Sequence, residues 1–144
     1  MASTRTGRVP SLLLDTCAVL YLALGSRLSG EASEALGAAS QANALWVSPV
    51  SAWEIGIGAS KGRLKLPLPP LEFYRRFKEA LSVRECPVSA EILVSSSFLP
   101  GQFHKDPMDR ILAASARELD MILVTRDRPI LDYGAEGHLR TLAC

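Results

Sequence analysis

Four acidic residues stand where a carboxylate could do chemistry: Asp15 in Leu-Leu-Leu-Asp15-Thr16, Glu54 in Ser51-Ala52-Trp53-Glu54, Asp109 in His104-Lys-Asp-Pro-Met-Asp109-Arg110, and Asp127 in Thr125-Arg-Asp127. Each also has an ordinary explanation. Asp15 closes an apolar run and can cap the helix after it. Glu54 follows Ser51 by three residues, the spacing of a capping box. Asp109 falls at the third position of a helix that Asp106 caps and Pro107 opens, where a carboxylate suits the helix dipole. Asp127 can be a turn aspartate. Their common placement adds something the single explanations lack, because each lies just past a predicted strand or in the first turn of a predicted helix. Two carboxylates about 4 Å apart repel by about 4 kcal/mol at an effective dielectric near 20, so four would gather only around a cation or with protons bound. A site built from carboxylates and little else suits Mg²⁺ or Mn²⁺, hard ions that take oxygen ligands and retain waters. Such ions serve phosphodiester hydrolysis: they acidify and orient a water and neutralise the leaving oxygen.

The acids meet only if the elements carrying them converge. Ser11–Leu14 reads as a buried strand running into a helix over Cys17–Leu24, and Gly30–Asn43 as a weakly amphipathic helix. Leu45–Val50 reads as a second strand that Pro49 ends, followed by a helix over Ser51–Ser60. Leu64–Pro70 cannot be helical, because its prolines lack donors and bias their predecessors toward extended geometry. Leu71–Leu81 is predicted helical, Val83–Val88 a short strand, and Ala90–Phe98 a helix closed by Pro100-Gly101. Met108, Ile111, Leu112, Ser115, Ala116 and Leu119 follow the spacing of one buried helical face. Met121–Thr125 is a strand, Arg126–Pro129 a turn, and Leu139–Leu142 a last edge strand. Continuous apolar strands alternating with helices predict an α/β fold, a three-layer α/β/α sandwich around a central, mainly parallel sheet. Its usable crevice lies beyond the carboxyl ends of the strands, where the four acids fall.

At 144 residues the chain holds one domain, expected over residues 11–144 behind a leader of residues 1–10. Hydrophobic residues at 48% and charged residues at 22% exclude a disordered chain. Lys+Arg 16 against Asp+Glu 15 leaves +1, which excludes a global basic field. Cys17, Cys86 and Cys144 are odd in number and far apart, so neither a disulfide framework nor a zinc knuckle is indicated. No apolar run reaches membrane-spanning length, and the leader precedes no signal-type apolar segment. A reducing cytoplasm is the expected compartment.

Taken together, Leu-Leu-Leu-Asp15-Thr16, Ser51-Ala-Trp-Glu54-Ile, His104-Lys-Asp-Pro-Met-Asp109-Arg110 and Leu-Val-Thr125-Arg-Asp127 resemble the four acidic motifs of PIN-domain ribonucleases. The likeness is nearest to the VapC-type toxins of bacterial type II toxin–antitoxin pairs and runs from about residue 11 to the C-terminus. Lys61-Gly-Arg-Leu-Lys-Leu-Pro-Leu-Pro-Pro70 is similar to the segment after the second motif in one branch of these proteins. The resemblance implies a PIN-like fold and a Mg²⁺ or Mn²⁺ site. It also implies endonucleolytic cleavage of RNA, a cognate VapB-like antitoxin and a homodimer. It places Asp15, Glu54, Asp109 and Asp127 on the metal-site acids, with Thr16 and Thr125 beside them to hold a carboxylate or a metal-bound water. Met108 departs from the aromatic residue commoner in this branch, and Gly56-Ile-Gly58 stands where a longer polar side chain is usual.

Several neighbours carry two readings. Asp106 is an N-cap before it is a ligand. His104 can touch substrate or relay a proton, against the commoner job of a solvated or hydrogen-bonded loop histidine. Arg110 can bind a phosphate or pair with a neighbouring acid. Lys61, Arg63, Lys65, Arg75, Arg76 and Lys78 can draw an RNA backbone or form a solvated face. Trp46 and Trp53 fit a core or interface better than base stacking. Gly56-x-Gly58 is not a dinucleotide fingerprint, since it lies inside or after a helix. The competing functions are a non-catalytic RNA- or protein-binding module of the same fold and another α/β phosphoryl-transfer enzyme. The second wants Asp-x-Asp after the first strand, where this chain has Asp15-Thr-Cys17.

Overall fold

A computed structural model describes residues 8–25 and 27–144; residues 1–7 of the expected leader lie outside the described residues. Among the described residues there are five strands: β1 (Leu12–Leu14), β2 (Leu45–Val47), β3 (Arg84–Glu85), β4 (Ile122–Thr125) and β5 (Thr141–Ala143). The helices between them are α1 (Thr16–Ala23), α2 (Gly30–Gln41), α3 (Pro49–Ser60), α4 (Pro70–Leu81), α5 (Ala90–Ser95), α6 (Pro107–Glu118) and α7 (Arg128–Ala135). Every strand pair is parallel, in the order β3-β2-β1-β4-β5. The short β1 is an unbroken run of leucine because both faces of a central parallel strand are covered. Its side chains alternate. Leu12 and Leu14 join Val19, Leu36, Phe73 and Phe77 in one apolar layer, while Leu13 joins Ile92, Leu112, Ile130 and Tyr133 in the other. This is the expected three-layer sandwich. Helix α3 contributes to both layers, sending Ile55 into the first and Val50 into the second.

Two local readings are corrected. Pro49 opens α3 instead of ending β2. Ser48 caps that helix, its hydroxyl accepting from Val50 N at 3.1 Å, and a proline in the first turn has no helical donor to lose. Ser51 is therefore inside the helix, and the capping box with Glu54 does not exist. Arg126–Pro129 is no simple turn either, since Asp127 caps α7 and Pro129 occupies its first turn. Ile130 and Tyr133, spaced by three, bury the inner face of that helix. No helix among the described residues is long and apolar enough to cross a membrane.

Candidate active site

The sheet order reverses at the boundary between β1 and β4: from β1 the chain winds outward to β2 and β3, then crosses back to β4 and β5. Such a switch point opens a crevice beyond the carboxyl ends of the two strands. Register does the rest. Leu14 pairs with Val124, so the next residues, Asp15 and Thr125, are neighbours across the ladder. Asp15 N donates to Val124 O at 3.1 Å, continuing the sheet by one bond.

Asp15 is 3% exposed. Its Oδ1 accepts from Ala18 N at 2.7 Å, capping α1, and its Oδ2 accepts the Thr125 hydroxyl. The Thr125 oxygen in turn accepts Asp127 N at 3.0 Å, while Asp127 Oδ2 accepts Ile130 N at 3.2 Å. One threonine thus couples two of the predicted acids. Capping places the carboxylates of Asp15 and Asp127 at the crevice, because each caps a helix that starts there.

Glu54 lies in the second turn of α3, one turn deeper than expected. The Thr16 hydroxyl donates to Glu54 Oε1 and sits 2.9 Å from Ser51 Oγ. Asp109, third residue of α6, follows the cap Asp106, whose Oδ1 accepts Met108 N at 3.0 Å. The expected N-cap role of Asp106 therefore stands. Across from Asp109, His104 Nε2 lies 3.2 Å from Asp109 Oδ2. One ligand atom from each of His104, Asp109 and Asp127 falls within 4.8 Å of the others. Asp15 and Glu54 lie near enough to raise the Asp109 pKa by repulsion.

Electrostatics ties the acids into one field. Burial raises the Asp109 pKa from 3.8 to about 7, and Asp106, Asp127, Glu54 and Asp15 add repulsion. Burial also raises Asp15 against the two hydrogen bonds that stabilise its anion, with Asp127 adding to the rise. Glu54 is raised by burial, opposed by Thr16 and pushed further by Asp106 and Asp15. Even the Cys17 thiol is pushed up to about 11, first by desolvation and then by Asp15, Glu54, Asp109 and Asp127. A nest of carboxyls held above their ordinary range is disfavoured unless a cation shares it.

The chemistry of the donor set fits a divalent ion. The His104 Nε2 atom is shielded from solvent and makes no hydrogen bond to any described residue, although Asp109 is close. Arg110 pairs with no acid among the described residues. Its Nε donates to Ser96 O at 2.8 Å and its Nη1 to Phe103 O and His104 O at 3.3 and 3.2 Å. It is a clamp on the loop that presents His104. That loop is also held by Phe103, whose ring meets His104 edge-on at 4.5 Å and stacks on Tyr133 at 4.5 Å.

Other candidates are placed away from this trio's contacts. Arg76 pairs with Glu72 at 2.9 Å, and Lys78 with Glu85 at 3.2 Å. Lys61, Arg63, Lys65 and Arg75 are exposed. Trp46 packs against the second apolar layer under the Arg84 guanidinium, at 4.2 Å from its ring. Trp53 is 56% exposed, so it belongs to no core. Gly58 does have a packing reason, because a Cβ there would lie 3.2 Å from Leu64 Cβ.

The PIN-domain family profile matches residues 12–135. Ribonuclease VapC22 of Mycobacterium tuberculosis is 33% identical over 124 residues, spanning 85% of this chain and 92% of that protein. The structure of VapBC2 from Rickettsia felis, bound to a promoter DNA fragment, superposes with a TM-score of 0.65 at 16% identity, covering 92% and 97% of the two chains. A toxin–antitoxin complex from Klebsiella pneumoniae superposes with a TM-score of 0.55 at 25% identity, covering 83% and 90%. By sequence over most of its length and by the topology that gathers its acids, this chain belongs to the PIN-domain family.

Proposed function

We propose that this protein is a metal-dependent endoribonuclease that hydrolyses RNA phosphodiester bonds in the cytoplasm, acting as a toxin neutralised by a cognate VapB-like antitoxin. The observation that carries the reading is the convergence of Asp15, Glu54, Asp109 and Asp127 at the switch point between β1 and β4. The relationship to a named ribonuclease supports the reaction, and the likeness to a toxin–antitoxin complex supports the partner. Residues 11–144 act as one domain, and the resemblance extends to a homodimer.

Asp15, Glu54, Asp109 and Asp127 would hold the ion, with Asp109 and Asp127 each offering an oxygen within 4.8 Å of a His104 nitrogen. An ion of the Mg²⁺ or Mn²⁺ class, when bound, would acidify a water and neutralise charge developing on a phosphodiester. The polypeptide supplies position. Thr125 aims Asp15 and fixes the start of α7 through Asp127 N; Thr16 aims Glu54 across from α3. The rise of the Asp109 pKa to about 7 means that its proton must leave as an ion enters, so ion uptake should weaken as pH falls through that value. The full set of four acids speaks against a non-catalytic binding module.

Asp15→Asn is the test. It preserves shape and can still cap α1 through its amide oxygen. RNA cleavage and growth inhibition are expected to disappear while circular dichroism and cooperative unfolding persist. Unimpaired cleavage by the variant removes Asp15 from the machinery and the proposed chemistry with it.

A further inference from the structure

Building on the proposed divalent-ion site, we infer that His104 is a nitrogen donor to the ion, so that this centre is a mixed imidazole–carboxylate site selective for Mn²⁺ over Mg²⁺. Three observations carry this. The Nε2 atom of His104 and one oxygen each of Asp109 and Asp127 are mutually within 4.8 Å. The Nε2 to Asp109 Oδ2 separation is 3.2 Å, close to the edge of about 3 Å between adjacent ligands of an octahedral ion with bonds of about 2.1 Å. Finally, Nε2 is shielded from solvent yet makes no hydrogen bond to a described residue. An imidazole meant only to pair with Asp109 would turn an N–H onto that oxygen; the 3.2 Å separation would allow such a bond, yet Nε2 makes none.

The ring is placed by more than chance contact. Arg110 Nη1 holds the carbonyls of Phe103 and His104 at 3.3 and 3.2 Å, and the Phe103 ring braces the imidazole edge-on. Two of these supports come from residues flanking or inside α6, the helix that carries Asp109. The nitrogen and the carboxylate are thus presented by one rigid unit, as ligand sets require. The consequence is chemical selectivity. Mg²⁺ prefers oxygen and keeps its waters, whereas transition-series ions accept imidazole readily.

Pulsed electron paramagnetic resonance on the full chain loaded with substoichiometric Mn²⁺ reads the donor directly. The expected spectrum carries a ¹⁴N coupling that converts to a ¹⁵N pattern on labelling with [¹⁵N]histidine. The chain has two histidines. The coupling is expected to survive His138→Gln and vanish in His104→Gln. Calorimetry on His104→Gln should show Mn²⁺ affinity falling by about tenfold or more, with a smaller loss for Mg²⁺. Bound Mn²⁺ with no nitrogen coupling in the unmodified protein overturns the inference whether or not the variant folds. Bound Mn²⁺ whose coupling disappears in His138→Gln, and not in His104→Gln, overturns it too. Failure of the unmodified protein to take up Mn²⁺ or Mg²⁺ overturns the ion site itself, and is thereby distinguishable from loss of the nitrogen ligand alone.

Discussion

Thr125 shows how much a single hydroxyl can organise. It is fully buried, gives its proton to Asp15 and takes one from Asp127 N. Thr125→Val keeps the shape and removes both bonds, leaving a buried carboxylate oxygen and a backbone N–H without that partner. A loss of about 1–3 kcal/mol is expected in urea unfolding, together with a fall in cleavage at saturating ion; Thr125→Ser should recover most of both. Asp109 makes a second prediction, in pH. Its carboxyl is raised from 3.8 to about 7 in the fold, so between these values the native state retains a proton that the unfolded chain has released. Its contribution is favourable below about pH 4 and is lost as pH rises through about 7. In chelator-treated protein, thermal stability should therefore decline across that window, and Asp109→Asn should flatten the decline. The acids were readable in the sequence because strand ends and helix starts bracket them. His104 was readable only as a candidate substrate contact or proton relay; the proposed ligand role rests on an unpartnered nitrogen near Asp109, which requires the folded loop. The three carbonyls that Arg110 holds were likewise not legible, because the fold brings them near.

At the scale of elements, apolar runs announced the central strands and the heptad-like spacing from Met108 announced α6. Boundaries were less legible where one residue serves two grammars. Pro49 can end a strand or open a helix, and only the cap at Ser48 decides between them. Arg126-Asp127-Arg128-Pro129 looks like a turn, although cap plus early proline also begins a helix, and burial of Ile130 and Tyr133 selects α7. The loop before α6 depends on a conformation that sequence spacing alone does not reveal. Gly101 has φ +68°, and a Cβ there would approach His138 Nε2 to 2.6 Å. His138 packs on Tyr133, which stacks on Phe103 beside His104. Gly101→Ala should therefore cost about 1–2 kcal/mol from the left-handed backbone alone, more if the ring cannot move. Denaturant titration measures that cost. Amide exchange should show its spread along residues 101–106, while the core of β1 and β4 stays protected.

The whole molecule carries a formal charge of +1, yet Asp15, Glu54, Asp106, Asp109 and Asp127 repel one another within one local field. Net charge conceals such a field; topology creates it, by bringing positions more than a hundred residues apart to adjacent strand ends. The fold therefore holds a local repulsion that the two apolar layers must outweigh, and a bound cation would relieve it. Linkage makes this measurable. An ion at about 100 times its dissociation constant adds about 2.7 kcal/mol of stability if the unfolded chain does not bind it. For a chain of this size that corresponds to a rise of roughly 10 °C in Tm, taking roughly 4 °C per kcal/mol. Asp109→Asn should behave in the opposite sense on both counts. Without ion, at pH 7.5, it should melt above the parent protein, because burial and four neighbouring acids oppose the charge it removes. With ion, it should gain little, and its cleavage should be abolished. A parent protein whose Tm is indifferent to Mn²⁺ and Mg²⁺, alongside an Asp109→Asn variant that melts lower without ion, would mean that the acids are stabilised by contacts within the fold and are not gathered for a cation.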